Sequence, residues 1–155
     1  MGINSYIDYI DDPNDTFDDY LEKARRYGFR CVFADPDTYE HACEMLAGTD
    51  VIVAGAIDFP EGALALEEEL PEFERYAQAG FTEIDYVLNQ RAVDERDFDA
   101  IEHEMRGVAE FCRAHGMRDK VIVEMPKLES EADKRRVCEI ALKARPAFLK
   151  TSSGR

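Results

Sequence analysis

The chain has no tryptophan, no Cys-x-x-Cys pair, and only 19 Lys and Arg residues against 34 Asp and Glu, a net charge of -15. A surface so acidic repels phosphate backbones and anionic lipid, which argues against nucleic-acid or membrane partners. Cys31, Cys43, Cys112 and Cys138 lack the dense spacing of a disulfide scaffold and read as reduced thiols of a cytoplasmic protein. The longest apolar run, residues 51–57, is too short to cross a bilayer, and the opening MGINSYIDYIDD lacks the basic and apolar regions of a signal peptide. No Gly/Ser-rich linker interrupts the chain, so residues 1–155 read as one domain. Nucleotide fingerprints are missing too: neither a Gly-x-Gly-x-x-Gly turn nor a P-loop is present. His41, His103 and His115 have no metal-ligand spacing, and Asp11, Asp12, Asp15, Asp18 and Asp19 lack the EF-hand pattern.

What is present is alternation. Short runs rich in Val, Ile, Phe or Tyr occupy residues 5–10, 29–34, 50–59, 83–89, 120–125 and 147–152. They have the length and composition of strands buried on both faces. Between them, residues 15–27, 37–46, 63–79, 95–115 and 130–144 carry helical patterns. Gly28, Gly48, Gly80 and Gly116 follow the first four as stop signals, and Ser130 with Asp133 opens the fifth. Pro71 is expected to kink or split the third. Six strands alternating with five helices imply an α/β fold with a parallel sheet, either doubly wound or a (β/α) barrel.

Such folds gather their chemistry at the C-terminal ends of the strands. There the sequence places Asp8, Asp35, Asp58, Asn89, Glu124 and the run Lys150-Thr151-Ser152-Ser153-Gly154, with Asp85 inside the fourth strand. Lys150 follows Ala147-Phe148-Leu149. Apolar surroundings favour a neutral amine, the form that attacks an aldehyde or ketone, although a lysine at a strand end also reaches solvent easily. Asp85 reads either as an acid/base group or as the partner of a neighbouring strand. Lys120 and Glu124 share one face of the fifth strand by period two. They form an ion pair, or Lys120 serves as a second cation beside Lys150.

Several of these segments resemble one family. Ala79-Gly80-Phe81-Thr82-Glu83-Ile84-Asp85-Tyr86-Val87-Leu88-Asn89 is similar to the "GADEIDxVIN" motif of deoxyribose-phosphate aldolases, and Phe148-Leu149-Lys150-Thr151-Ser152-Ser153-Gly154 to their "FVKTSTG". Ile57 through Ala63 resembles "IGFPLGA", Lys120 through Glu124 "KVIxE", Ile7-Asp8 the start of "IDHT", and Asp35-Pro36 "NP". The resemblance implies a (β/α)₈ barrel, here present as strands one to six of eight. It also implies reversible cleavage of 2-deoxyribose 5-phosphate to acetaldehyde and glyceraldehyde 3-phosphate, with no metal or other cofactor. Lys150 would be the Schiff-base nucleophile and Asp85 part of the proton relay, with Lys120 in a supporting catalytic role. Asp8, Glu124, Asn89, Thr151 and Ser152 would support the substrate, a small sugar phosphate or aldehyde.

This sequence departs from the family at Tyr9 and Ile10 (His and Thr), Phe33 (commonly Cys), Asp58 (Gly) and Met125 (Thr). The family continues past the position of Arg155 through two strands that carry a second catalytic lysine and the phosphate loops. Weak or absent activity in this chain is therefore expected. The alternatives are a half-barrel that works by associating with itself or a complementing chain, and a Schiff-base aldolase with another substrate. Six strands in an unclosed ring would leave two exposed edges.

Overall fold

The short apolar runs become strands because their β-branched and aromatic residues pack on both faces of a sheet. In the computed structural model, which describes residues 2–154, they are β1 (Cys31–Phe33), β2 (Ile52–Ile57), β3 (Glu83–Val87), β4 (Arg118–Ile122) and β5 (Phe148–Lys150). The sheet is parallel throughout and ordered β1-β2-β3-β4-β5. Six helices connect and cover it: α1 (Phe17–Tyr27), α2 (Tyr39–Met45), α3 (Leu66–Ala79), α4 (Gln90–Glu95), α5 (Phe98–Ala114) and α6 (Glu131–Ala144).

Local chemistry sets the helix ends. Thr16 and Asp19 cap α1 reciprocally, and Gly28 ends it at a φ of 62°, a left-handed conformation that costs glycine little. Ser130 accepts from the Asp133 N–H at the start of α6. Pro71 does not split α3, which runs continuously from Leu66 to Ala79.

Two expectations need correction. Residues 5–10 do not form a strand. Ile3–Tyr6 is a 3₁₀ turn, and Asp8 makes only an isolated parallel bridge to Cys31. The Asn4 amide donates to the Tyr27 and Gly28 carbonyls, which bends the chain before pairing can extend, leaving two ladder bonds (Tyr9 N–H to Cys31 and Arg30 N–H to Ile7). The sheet therefore has five strands, not six. The helix count rises to six because Arg96 turns left-handed at φ 55° and Asp97 caps a new start, which separates α4 from α5.

The strands divide their side chains between two faces. Ile84 and Tyr86 of β3 point to the helices and join Phe73, Ile101, Met105, Val108, Val121, Val137 and Ile140 in the core. Gly55 of β2 faces the same way, and a Cβ there would run into the Tyr76 ring of α3. The register sends Phe33, Ala54, Ala56, Glu83, Asp85, Lys120, Phe148 and Lys150 to the opposite, inner face.

That inner face is concave. In a flat sheet, Asp8, which lies beyond β1, and Lys120 of β4 would stand roughly 19 Å apart. Their charged atoms are instead 3.0 Å apart, so the sheet curls about its inner face.

Candidate active site

Curvature brings the inner-face charges together. Lys150 Nζ donates to Asp85 Oδ2 at 2.5 Å, and the Lys120 ammonium lies 2.8 Å from the other oxygen, Oδ1. One buried carboxylate thus stands between two amines. Lys120 also reaches Asp8 at 3.0 Å and Glu83 at 2.8 Å. Arg30 donates to Asp8 at 2.6 Å and forks onto Glu83 at 2.6 and 3.3 Å, while Arg118 pairs with Glu83 at 2.7 Å.

The electrostatics follow from this packing. Burial opposes the Lys120 charge, but Asp85, Cys31 and Glu83 outweigh it and hold the ammonium above the ordinary lysine range. Burial alone would raise Asp8 and Glu83; their bonds to Arg30 and Lys120 reverse that and keep both lower than usual. Asp8, Cys31 and Glu83 also bring possible metal-ligand atoms within 4.8 Å of one another. Arg30 and Lys120 already neutralise the two carboxylates, and burial pushes the Cys31 thiol up to about 12, so the trio is part of an ion-pair network rather than a metal centre.

Above Asp85 opens a cavity of about 160 Å³ lined by Ile10, Asp11, Phe33, Ala56, Phe59, Asp85, Lys150 and Ser153. Lys150, half-buried, is the amine that reaches it, whereas Lys120 is 1% exposed. Phe33 forms one wall, its ring centroid 5.1 Å from Lys120 Nζ and 5.7 Å from Lys150 Nζ.

Lys150, Asp85, Lys120 and Asp8 are therefore brought into one network. Glu124 is not the partner of Lys120: β4 ends at Ile122, and Glu124 turns left-handed at φ 48°. Its carboxylate instead accepts from the Ser153 N–H at 3.1 Å, so it shapes the loop after β5. Asn89 lies outside the cavity lining; its side chain caps α4 and donates to the Leu64 carbonyl. Thr151 is exposed, and its carbonyl accepts from Met125 N–H, while Ser152 is half-buried and Ser153 reaches the cavity.

The family departures separate in the same way. Asp58 tolerates φ 51° and accepts from the Leu64 N–H, so its carboxylate holds the loop after β2. Tyr9 packs against Tyr20 and Phe29, whereas Ile10 and Phe33 line the cavity. Arg30 and Glu83 were missed as site residues. The signal for Glu83 was available, because it lies two residues before Asp85 and so shares its face.

These features define a class: a parallel α/β protein whose curled sheet holds two lysines on one buried aspartate under a small pocket. No family model matches the chain. It is 38% identical to a deoxyribose-phosphate aldolase of Aciduliprofundum boonei, covering 86% of this chain and 60% of that protein. It is 37% identical to the Streptococcus pneumoniae deoxyribose-phosphate aldolase, covering 99% of this chain and 70% of that one. Among solved structures, a tetrameric deoxyribose phosphate aldolase from Aeropyrum pernix superposes with a TM-score of 0.79 at 28% identity, covering 97% of this chain and 64% of that one. The aldolase QR15 gives a TM-score of 0.82 at 25% identity over 99% of this chain and 69% of that one. The chain belongs to the deoxyribose-phosphate aldolase family. It spans about three-fifths of the length of the Aciduliprofundum relative.

Proposed function

We propose that the chain supports the aldolase chemistry of its family, the reversible cleavage of 2-deoxyribose 5-phosphate to acetaldehyde and glyceraldehyde 3-phosphate. The observation that carries the reading is the Lys150–Asp85–Lys120 contact at the floor of the pocket. Lys150 is the amine open to a substrate; Asp85 takes and returns protons beside it, and Lys120 holds the other Asp85 oxygen at 2.8 Å.

The steps balance without a cofactor. The Lys150 amine adds to the C1 aldehyde of the open-chain sugar, a C–N bond forms, and the carbonyl oxygen leaves as water. The protonated imine then accepts the electron pair of the C2–C3 bond as the C3 hydroxyl gives up its proton, which releases glyceraldehyde 3-phosphate. Protonation of the enamine at C2 and hydrolysis return acetaldehyde and the free amine. Asp8 fixes Lys120 from behind. Glu124, Thr151, Ser152 and Ser153 form the loop that borders the substrate, and Asn89 acts at a distance by holding α4.

Ring closure is part of the same proposal, with residues 1–155 contributing one continuous part of a (β/α)₈ barrel in the cytoplasm. The unpaired sides of β5 and of the Asp8 segment would then receive further strands, from this polypeptide or a second chain. The pocket's apolar wall of Ile10, Phe33 and Phe59 also favours a small aliphatic carbonyl next to Lys150.

Incubation with acetaldehyde and borohydride tests the chemistry. The expected result is one reduced adduct per chain by intact mass, absent in Lys150→Ala. No adduct, or an adduct that survives Lys150→Ala, contradicts the reading.

A further inference from the structure

The floor beneath Lys150 carries charges for which the proposed bond-making steps have no use. Arg30 stands just before β1, yet its side chain crosses the inner face. It binds Asp8 and Glu83, and its guanidinium lies 5.5 Å from the Phe148 ring centroid in β5. Arg118 approaches the same ring at 5.6 Å and holds the second Glu83 oxygen. From the floor upward the signs alternate: Arg30 and Arg118, Glu83, Lys120, Asp85, Lys150.

Glu83 is fully buried and competes with Asp85 for the same ammonium, each 2.8 Å from Lys120 Nζ. How strongly Lys120 acts on Asp85 therefore depends on how far Glu83 and Asp8 are already neutralised. Arg30 is the one cation besides Lys120 that touches both, among the described residues. We propose that Arg30 and Glu83 are positioning residues that act through Lys120 to set the potential at the Lys150 amine, and so the pH range in which it captures a carbonyl. The inference rests on the Schiff-base reading of Lys150.

The charged groups around that amine and in the ladder beneath it come from every neighbouring element. Asp8 and Asp11 lie in the N-terminal segment, Arg30 precedes β1, Glu83 and Asp85 stand on β3, and Arg118 and Lys120 on β4. Asp58 after β2 and Glu124 after β4 are bound to backbone N–H groups. Removing the Arg30 charge leaves Glu83 and Asp8 in excess, stabilises the Lys150 ammonium and moves capture to higher pH. Removing the Glu83 charge does the reverse.

The test follows the rate of acetaldehyde capture, trapped with cyanoborohydride and read by mass, as a function of pH. Arg30→Met is expected to move the half-maximal pH up, and the isosteric Glu83→Gln to move it down, each by about one pH unit. The double variant returns toward the starting profile, and Arg30→Lys stays close to it. A residue that only braces the fold would lower capture without moving the midpoint in opposite directions. Trapping with unmoved midpoints, or with both moving the same way, overturns the inference and leaves the Schiff-base reading intact. No trapping in the unaltered chain overturns that reading itself. Should Arg30→Met fail to fold, the direction of the Glu83→Gln shift decides alone.

Discussion

Lys120 shows how much one side chain can organise. Its ammonium is 1% exposed and faces three carboxylates within 3.0 Å, so its hydration has been replaced by ion pairs. Buried ion pairs add little net stability over apolar packing, but removing one partner strands the others. Lys120→Met leaves Asp8, Glu83 and Asp85 with Arg30, Arg118 and Lys150 alone. We expect a loss of about 3–5 kcal/mol by denaturant titration, in line with broken buried pairs. A change below about 1 kcal/mol would show that the network is as wet and loose as a surface pair. Asp85, Lys120 and Lys150 were legible in the sequence because charges inside apolar runs stand out. Glu83 was open to the same reading, two residues before Asp85 on one face of β3, whereas Arg30 gave no such signal: it stands just before β1, and only the curl of the sheet brings its side chain onto Asp8 and Glu83.

Among the elements, α3 and α5 carry a tension of their own behind the site. Glu69 of α3 is fully buried, and neither carboxyl oxygen has a hydrogen-bond partner; burial, then the nearby Glu104 and Asp58, push it up to about 9. Glu104 of α5 is raised to about 8, again mainly by burial, although it accepts from the Asn89 N–H. Both groups hold protons in the folded state that the unfolded chain releases near its ordinary 4.5. Their contribution is therefore fully present below that value and is lost as pH rises toward 8 to 9. Asp8 and Glu83 have lowered values and act oppositely, losing their contribution as pH falls through the acid range. Stability should peak on the acid side of neutrality, near about pH 5. Thermal melts across pH check this, and Glu69→Gln should flatten the decline on the alkaline side. Melts that rise steadily from pH 5 to 9 would contradict it. The helices were readable from caps and glycine stops, but α4 was absorbed into the longer pattern that follows it, since only the left-handed turn at Arg96 divides them. Residues 5–10 failed as a strand for a similar reason: Asn4 forms a tertiary bond that no local pattern announces.

At the scale of the molecule, the sheet is strongly curved yet open. Among the described residues β5 pairs only with β4, and Ile3, Tyr6 and Leu149 expose 81%, 71% and 39% of their surface. Unpaired strand edges beside apolar side chains favour association, while a net charge of -15 opposes it. Added salt screens the charge and leaves the edges unchanged. Light scattering of residues 1–155 by themselves should therefore show self-association that grows with ionic strength; a monomer at every salt concentration would contradict edge-driven assembly of this piece. The alternating order of the chain was enough to read the parallel sheet, and its motifs pointed to the family. Neither revealed that the ion-pair ladder would run from the floor to Lys150. The central claim, that Lys150 is the amine which captures the carbonyl, is tested most directly by incubating the chain with 2-deoxyribose 5-phosphate, reducing with borohydride and mapping the modified peptide. We predict a single label on Lys150, with Lys120 unmodified beneath it. A label on Lys120, or one spread over Lys127, Lys134 and Lys143, would contradict the account.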